Sequence, residues 1–260
     1  LRVPRGHDVL LGRWRRRRRR RRAISLDFDN ASFYDADGKF DEEKGKDAGM
    51  TKVVRGKISD GEWTAGETLF ELDGEHHTSS GAHYGSRFVF DDGYLYFSIG
   101  DRGRMDRSQD LDRPTGKIFR LHDDGRVPAD NPFVDTPDAL PGIWSYGHRN
   151  PQGMDLEPAT GLLWESEHGP RGGDEINRIE AGENYGWPAV THGVDYSGAV
   201  VSPYSEWPGM VSPLWDWTPS IAPSGLEKSP AVTTCLPRAL QTNFLGFSSL
   251  LFKRTCFRFK

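Results

Sequence analysis

Short apolar runs divided by Asp/Gly turns recur along this chain, and that recurrence limits the fold more than any other feature. Phe88-Val89-Phe90 and Tyr94 to Ile99 flank Asp91-Asp92-Gly93, a strand–turn–strand unit with glycine where a positive φ is wanted. The logic returns at Lys117 to Leu121 followed by Asp123-Asp124-Gly125, and at Met154 to Leu156 and Leu162 to Ser166 around Pro158 to Gly161. Ile24 to Phe28 alternates apolar and polar residues, as a half-buried strand does. A polar loop over 35–49 follows, and Thr51 to Ile58 and Trp63 to Leu72 read as strands around Asp60-Gly61. Hairpins repeated at tens of residues, with no long helical period, predict an all-β fold and a propeller rather than a sandwich. The long segments Asp101–Thr115 and Val127–Pro141 are expected as loops on one face, the face that carries the site in such folds.

At 260 residues, with 30 glycines and 17 prolines spread along it, the chain has room for one large all-β domain. Its formal net charge of −4 hides three regions. Residues 1–23 carry eleven arginines and one aspartate, with Arg15 to Arg22 consecutive; they read as an unstructured or artefactual tail, against a nucleic-acid or targeting patch. Residues 229–260 carry five basic residues, no acid and both cysteines, Cys235 and Cys256, with no Asp/Gly turns; they read as foreign to the fold, as a shifted reading frame would be. Between them, 24–228 holds eighteen basic against thirty-seven acidic residues. So acidic a middle disfavours nucleic acid as a partner and favours divalent cations. The apolar run from Phe244 to Phe252 is interrupted by Gly246, Ser248 and Ser249 and is too short to span a bilayer. No leader-like apolar core is visible near Leu1, and the opening on leucine leaves room for sequence upstream.

Five motifs carry chemistry: His83-Tyr84-Gly85-Ser86-Arg87, Ile99-Gly100-Asp101-Arg102-Gly103, Gly147-His148-Arg149-Asn150-Pro151-Gln152-Gly153, Glu167 to Glu175, and Asn184-Tyr185-Gly186-Trp187-Pro188. Taken singly, His83 and Asp101 read as turn residues, Arg149 as an arginine salt-bridged between blades and the acidic stretch as a surface loop. An imidazole titrates near neutrality and suits a general base. A carboxylate can fix its tautomer. A guanidinium can stabilise charge developing on an acceptor.

Together and in this order, the motifs resemble the glucose/sorbosone dehydrogenase family over about residues 24–226, some four-fifths of this chain and roughly the middle half of a full family member. The resemblance implies a six-bladed β-propeller, pyrroloquinoline quinone (PQQ) and Ca2+ as cofactors, an aldose sugar as substrate and an external electron acceptor. It implies a periplasmic or secreted protein without a membrane span. It makes His83 the catalytic base, Asp101 its orienting carboxylate, and Arg149 both catalytic and a cofactor contact. Asn150, Gln152, Asp174 and Tyr196 would also contact the cofactor. Gly169 and Pro170 would offer backbone oxygens to the Ca2+ that touches PQQ. Glu175, Tyr185 through its backbone oxygen, and Asp195 would surround a second calcium.

The family's glutamine within a Gly-Gln-Gly-like stretch has no counterpart here, nor do the basic residues of its last blades. The chain is therefore expected as an incomplete propeller, and as written an inactive remnant. Competing readings are a calcium-stabilised binding domain of the hedgehog-interacting type, a calcium-dependent sugar lactonase, and nucleic-acid binding through the arginine run.

Overall fold

The computed structural model describes residues 9–16, 19–29, 49–59, 62–80, 82–157, 159–228 and 250–252, with side chains for 49–56, 66–80, 82–157 and 159–227. Strands β1 (Val9–Arg16), β2 (Arg19–Asp29), β3 (Gly49–Ser59) and β4 (Glu62–Phe70) form one sheet. A second sheet contains β5 (Phe88–Asp91), β6 (Tyr94–Ile99), β7 (Lys117–His122) and β8 (Ile143–Tyr146). A third contains β9 (Pro151–Leu156), β10 (Leu163–Glu167), β11 (Asp174–Ile179) and β12 (Trp215–Trp217). Finally β13 (Leu226–Lys228) pairs with β14 (Leu250–Phe252). Every ladder between these strands is antiparallel and spatial order follows sequence order, so each four-stranded sheet is a meander. The first strand of each sheet lies against the first strand of the next: β1 on β5, β5 on β9, β9 on β13. The expected all-β architecture is present, as sheets arrayed through their leading strands.

Period-two alternation explains how the sheets pack. Leu95, Phe97 and Ile99 of β6 point to the first sheet and join Met50, Val53 and Leu69 in one buried cluster with Phe119, Leu121 and Ile143. Tyr96, the alternate residue, faces the third sheet with Val89 and Ile118, meeting Met154, Leu163, Ile179 and Tyr185. On the far side of the third sheet, Trp164 and Ile176 pack with Leu226 of β13. The Phe97 and Phe119 rings stack with centroids 5.1 Å apart, and Phe70 meets Phe97 edge-on at 4.9 Å, geometries that add to plain burial.

Three local expectations change. The Asp123-Asp124-Gly125 turn is made, with His122 N–H donating to Arg126 O, but no strand follows until β8. The segments 101–115 and 127–141 do not leave from a common face. One follows β6 and the other follows β7, and neighbouring antiparallel strands end at opposite edges of the sheet, although Leu140 N–H donates to Leu111 O where the two segments meet. The boundary expected at residue 23 falls inside β2. The loop expected at 35–48, the Asp60-Gly61 turn and residues 229–249 and 253–260 of the C-terminal segment lie outside the described residues; Leu250–Phe252 pairs with β13.

Candidate active site

Antiparallel order brings the entry to β5, the exits of β6 and β8, the entry to β9 and the β10–β11 connection to one end of the second and third sheets. A backbone hydrogen bond, Asp101 N–H to Arg149 O at 2.7 Å, ties the two sheets there. All five sequence motifs contribute to this end.

His83 Nδ1 lies 2.5 Å from Asp101 Oδ1. A carboxylate only accepts, so Nδ1 carries the proton and Nε2 keeps its lone pair, the arrangement a base requires. Asp101 is 1% exposed and is held from two further sides: Gly103 N–H donates to Oδ1 at 2.8 Å and Trp187 Nε1–H to Oδ2 at 2.8 Å. The His83 segment crosses the exit of β6 so closely that a Cβ on Gly100 would lie 2.2 Å from His83 O. Glycine at 100 is therefore a packing requirement of the site. His83 itself has φ of 53°, a left-handed conformation that a non-glycine residue holds only when its surroundings impose it.

Arg149, Asn150 and Gln152 form the second half of the site. Glu167 Oε2 accepts the backbone N–H groups of Arg149 at 2.6 Å and Asn150 at 3.1 Å, fixing the loop between β8 and β9. The Arg149 guanidinium donates through Nη1 to His168 O at 2.8 Å and Gly169 O at 2.6 Å. Its centre stands 5.3 Å from the Trp187 ring and 5.9 Å from the Tyr196 ring, and Tyr196 is 70% exposed. Arg149 Nε is buried and has no hydrogen-bond partner. Asn150 Oδ1 accepts from Gln152 Nε2 at 2.9 Å and from Gly85 N–H at 3.3 Å, joining this loop to the His83 segment. Burial holds His168 below the ordinary imidazole value, and its Nε2 faces Pro223 O at 3.0 Å.

The Asp174 carboxylate accepts from three backbone donors: Gly169 N–H on Oδ1 at 2.9 Å, and Ile221 and Ala222 N–H on Oδ2 at 2.7 and 2.6 Å. It clasps two loops and keeps one lone pair, on Oδ1. Gly169 O takes the Arg149 hydrogen bond and Pro170 O that of Ser220 Oγ at 3.3 Å, so each carbonyl keeps one lone pair. Among the described residues, Asp195 joins no cluster of three ligating side chains, and Glu175 falls outside the tight group of His148, Glu165 and Glu167. Glu175 lies against Asn177, and burial, with the neighbouring Glu167 charge, pushes its carboxyl well above the usual range. Asp195 caps a surface turn through Ser197, whose hydroxyl hydrogen bond lowers it. Tyr185 spends its hydroxyl on Arg178 O and stacks its ring on His148. Trp187 and Glu167 are structural partners of the site that single-residue reasoning misses. Each lies inside a quoted motif, but neither indole nor carboxylate announces a partner tens of residues away.

The fold and this constellation define an all-β protein with a carboxylate-held histidine beside a buried arginine. The sequence profile described as Glucose / Sorbosone dehydrogenase matches residues 27–234, and the chain belongs to that family. It is 47% identical to the Escherichia coli aldose sugar dehydrogenase YliI over 152 residues, covering 57% of this chain and 41% of that protein. The crystal structure of the soluble aldose sugar dehydrogenase from Escherichia coli in the apo form superimposes with a TM-score of 0.69 at 39% identity, over 79% of this chain and 56% of that one. The PQQ-bound aldose sugar dehydrogenase of Streptomyces coelicolor does so with a TM-score of 0.55 at 29% identity, over 78% and 52%. The chain spans less than half the length of the curated relatives it matches. Among the described residues no helix is long and apolar enough to cross a membrane.

Proposed function

We propose that this chain carries the central part of a quinoprotein oxidoreductase, completed as a six-bladed propeller. It would oxidise the C1 hydroxyl of an aldose to the lactone with PQQ as acceptor, and pass electrons to an external acceptor. A periplasmic or secreted location goes with this reading. The observation that carries it is the pairing of a carboxylate-oriented His83 with a buried Arg149 whose Nε–H lacks a partner. The residues present fit the cofactor. A buried guanidinium with a spare donor, beside the Trp187 and Tyr196 rings, suits a planar anionic group. The remaining lone pairs of Gly169 O and Pro170 O suit Ca2+, which takes main-chain oxygens.

When bound, the quinone supplies a two-electron acceptor whose carbonyl the Ca2+ polarises. This chain's own residues do the rest. His83 Nε2 takes the proton of the sugar hydroxyl, Asp101 steadies the imidazolium that results, and Arg149 offsets negative charge on the acceptor. Asn150 and Gln152 hold the loop that presents Arg149. Glu175, the Tyr185 backbone oxygen and Asp195 belong to this reading as the surroundings of a second calcium.

The test is dye reduction by the full-length protein given PQQ, Ca2+ and glucose. His83→Ala should lower kcat about 10²- to 10⁴-fold while PQQ still binds. No PQQ binding by the wild type would favour the binding-domain reading, and an unchanged kcat in the variant would remove His83 as the base.

A further inference from the structure

Beneath the site, between the second and third sheets, lies a buried polar cluster that the proposed reaction does not use. Register places Glu165 opposite Asn177 and Glu167 opposite Glu175 on β10 and β11, so all four side chains share one sheet face. His148 approaches from the other sheet. Its Nδ1 is 3.3 Å from Glu167 Oε1, its Nε2 is 2.9 Å from Ser145 Oγ, and its ring stacks 4.8 Å from Tyr185. Glu165 and His148 are 0% exposed, Asn177 1% and Glu167 3%.

The cluster is short of donors. Asn177 Nδ2 has two hydrogens for three carboxylates, Glu165 at 3.2 Å, Glu167 at 3.4 Å and Glu175 at 3.3 Å. Glu165 Oε1 and Asn177 Oδ1 are buried without any hydrogen-bond partner. Among the described residues, none of these carboxylates pairs with a lysine or arginine. Buried carboxylates in this position need a shared proton or a cation.

We propose that His148, Glu165 and Glu167 bind a first-row divalent cation, Zn2+ or Mn2+. One nitrogen of His148 and one oxygen from each glutamate already lie within 4.8 Å of one another. Ligands held ~2.1 Å from one ion stand roughly 3–4 Å apart, so closure needs only side-chain adjustment. Two carboxylates and a neutral imidazole cancel a dication. Without an ion, His148 Nδ1–H donates to Glu167 Oε1; metal binding takes the other tautomer, with Nε2–H donated to Ser145 Oγ and the Nδ1 lone pair turned inward, the usual support of a metal-bound imidazole. A nitrogen in the donor set favours these ions over Ca2+, which takes oxygen alone. The other Glu167 oxygen holds the Arg149 and Asn150 N–H groups, so the ion would brace the loop that carries Arg149. None of the three ligands is among the residues given to the calcium positions above, although Glu175 shares the Asn177 amide with them, and the proposal does not depend on the dehydrogenase reading.

The test strips the purified chain with chelator and reloads it with Mn2+ alone. Pulsed EPR should show ¹⁴N coupling from an imidazole, Zn2+ should displace the Mn2+, and excess Ca2+ should not. Glu165→Gln should weaken Mn2+ binding by on the order of 100-fold and remove the nitrogen coupling. Wild-type protein that retains neither ion, or Mn2+ bound without nitrogen coupling, overturns the proposal whether or not the variant folds. So does coupling that survives Glu165→Gln.

Discussion

Asp101 takes three donors on two buried oxygens, and the three come from three parts of the chain: His83, Gly103 and Trp187. An asparagine in its place can accept only on one atom, and its amide group would face either the indole N–H or the His83 ring. On the proposed reading, Asp101→Asn therefore frees the His83 tautomer and should lower kcat about 10²- to 10⁴-fold, with PQQ affinity changed far less. A pH–rate profile separates this from simple misfolding: the imidazole's limb should shift, whereas a smaller folded fraction would scale the whole profile. At this scale the motifs were legible in the sequence as residues that meet, since His83, Asp101 and Arg149 do come to one end of the sheets. It was silent on Trp187, because nothing local to an indole records a carboxylate 86 residues away. It was equally silent on the partners of Asp174, the backbone N–H groups of a distant loop.

Elements were readable where turns punctuated them. The β5–β6 hairpin follows directly from Asp92-Gly93 between apolar runs, and β9 and β10 lie within a residue or a few of where alternation puts them. By contrast β8 and β12 are four and three residues long and follow long connections, so their pairing comes from tertiary contact rather than local pattern. Lys117 shows how such a connection is pinned. Its buried ammonium donates to the carbonyls of Arg107 at 3.1 Å, Ser108 at 2.9 Å and Thr115 at 2.7 Å, closing the β6–β7 loop onto β7. Lys117→Met leaves those carbonyls unpaired and should cost about 2–4 kcal/mol by urea unfolding at neutral pH. Burial lowers the Lys117 pKa to about 7, whereas an unfolded lysine titrates near 10.4. Between those values the unfolded chain binds the extra proton, so this group's contribution to stability rises with pH. The wild type's advantage over the Met variant should accordingly be larger at pH 9.5 than at pH 7; an advantage that stays flat or shrinks over that range would show that Lys117 stays charged in the fold.

For the whole molecule, the two halves of the site belong to different sheets, so docking of the sheets and integrity of the site are one property. Two features hold neighbouring seams. Phe97 lies in the apolar cluster between the first and second sheets. Arg87 crosses from the second sheet to the third, its Nε donating to Gln152 O and its Nη2 to Ser224 O at 2.6 Å. Truncating Phe97 to alanine removes a fully buried ring and should cost about 3–5 kcal/mol. Arg87→Met strands two carbonyls and should cost about 2–4 kcal/mol. Magnitudes alone would not distinguish the seams, but hydrogen exchange does. Phe97→Ala should speed exchange mainly in β3, β6 and β7, and Arg87→Met mainly in β9 and the 221–226 segment, where it also releases the loop that bears Arg149. If both variants instead loosen all three sheets equally, the array opens as a single cooperative unit, and the site cannot be weakened at one seam without losing the whole fold.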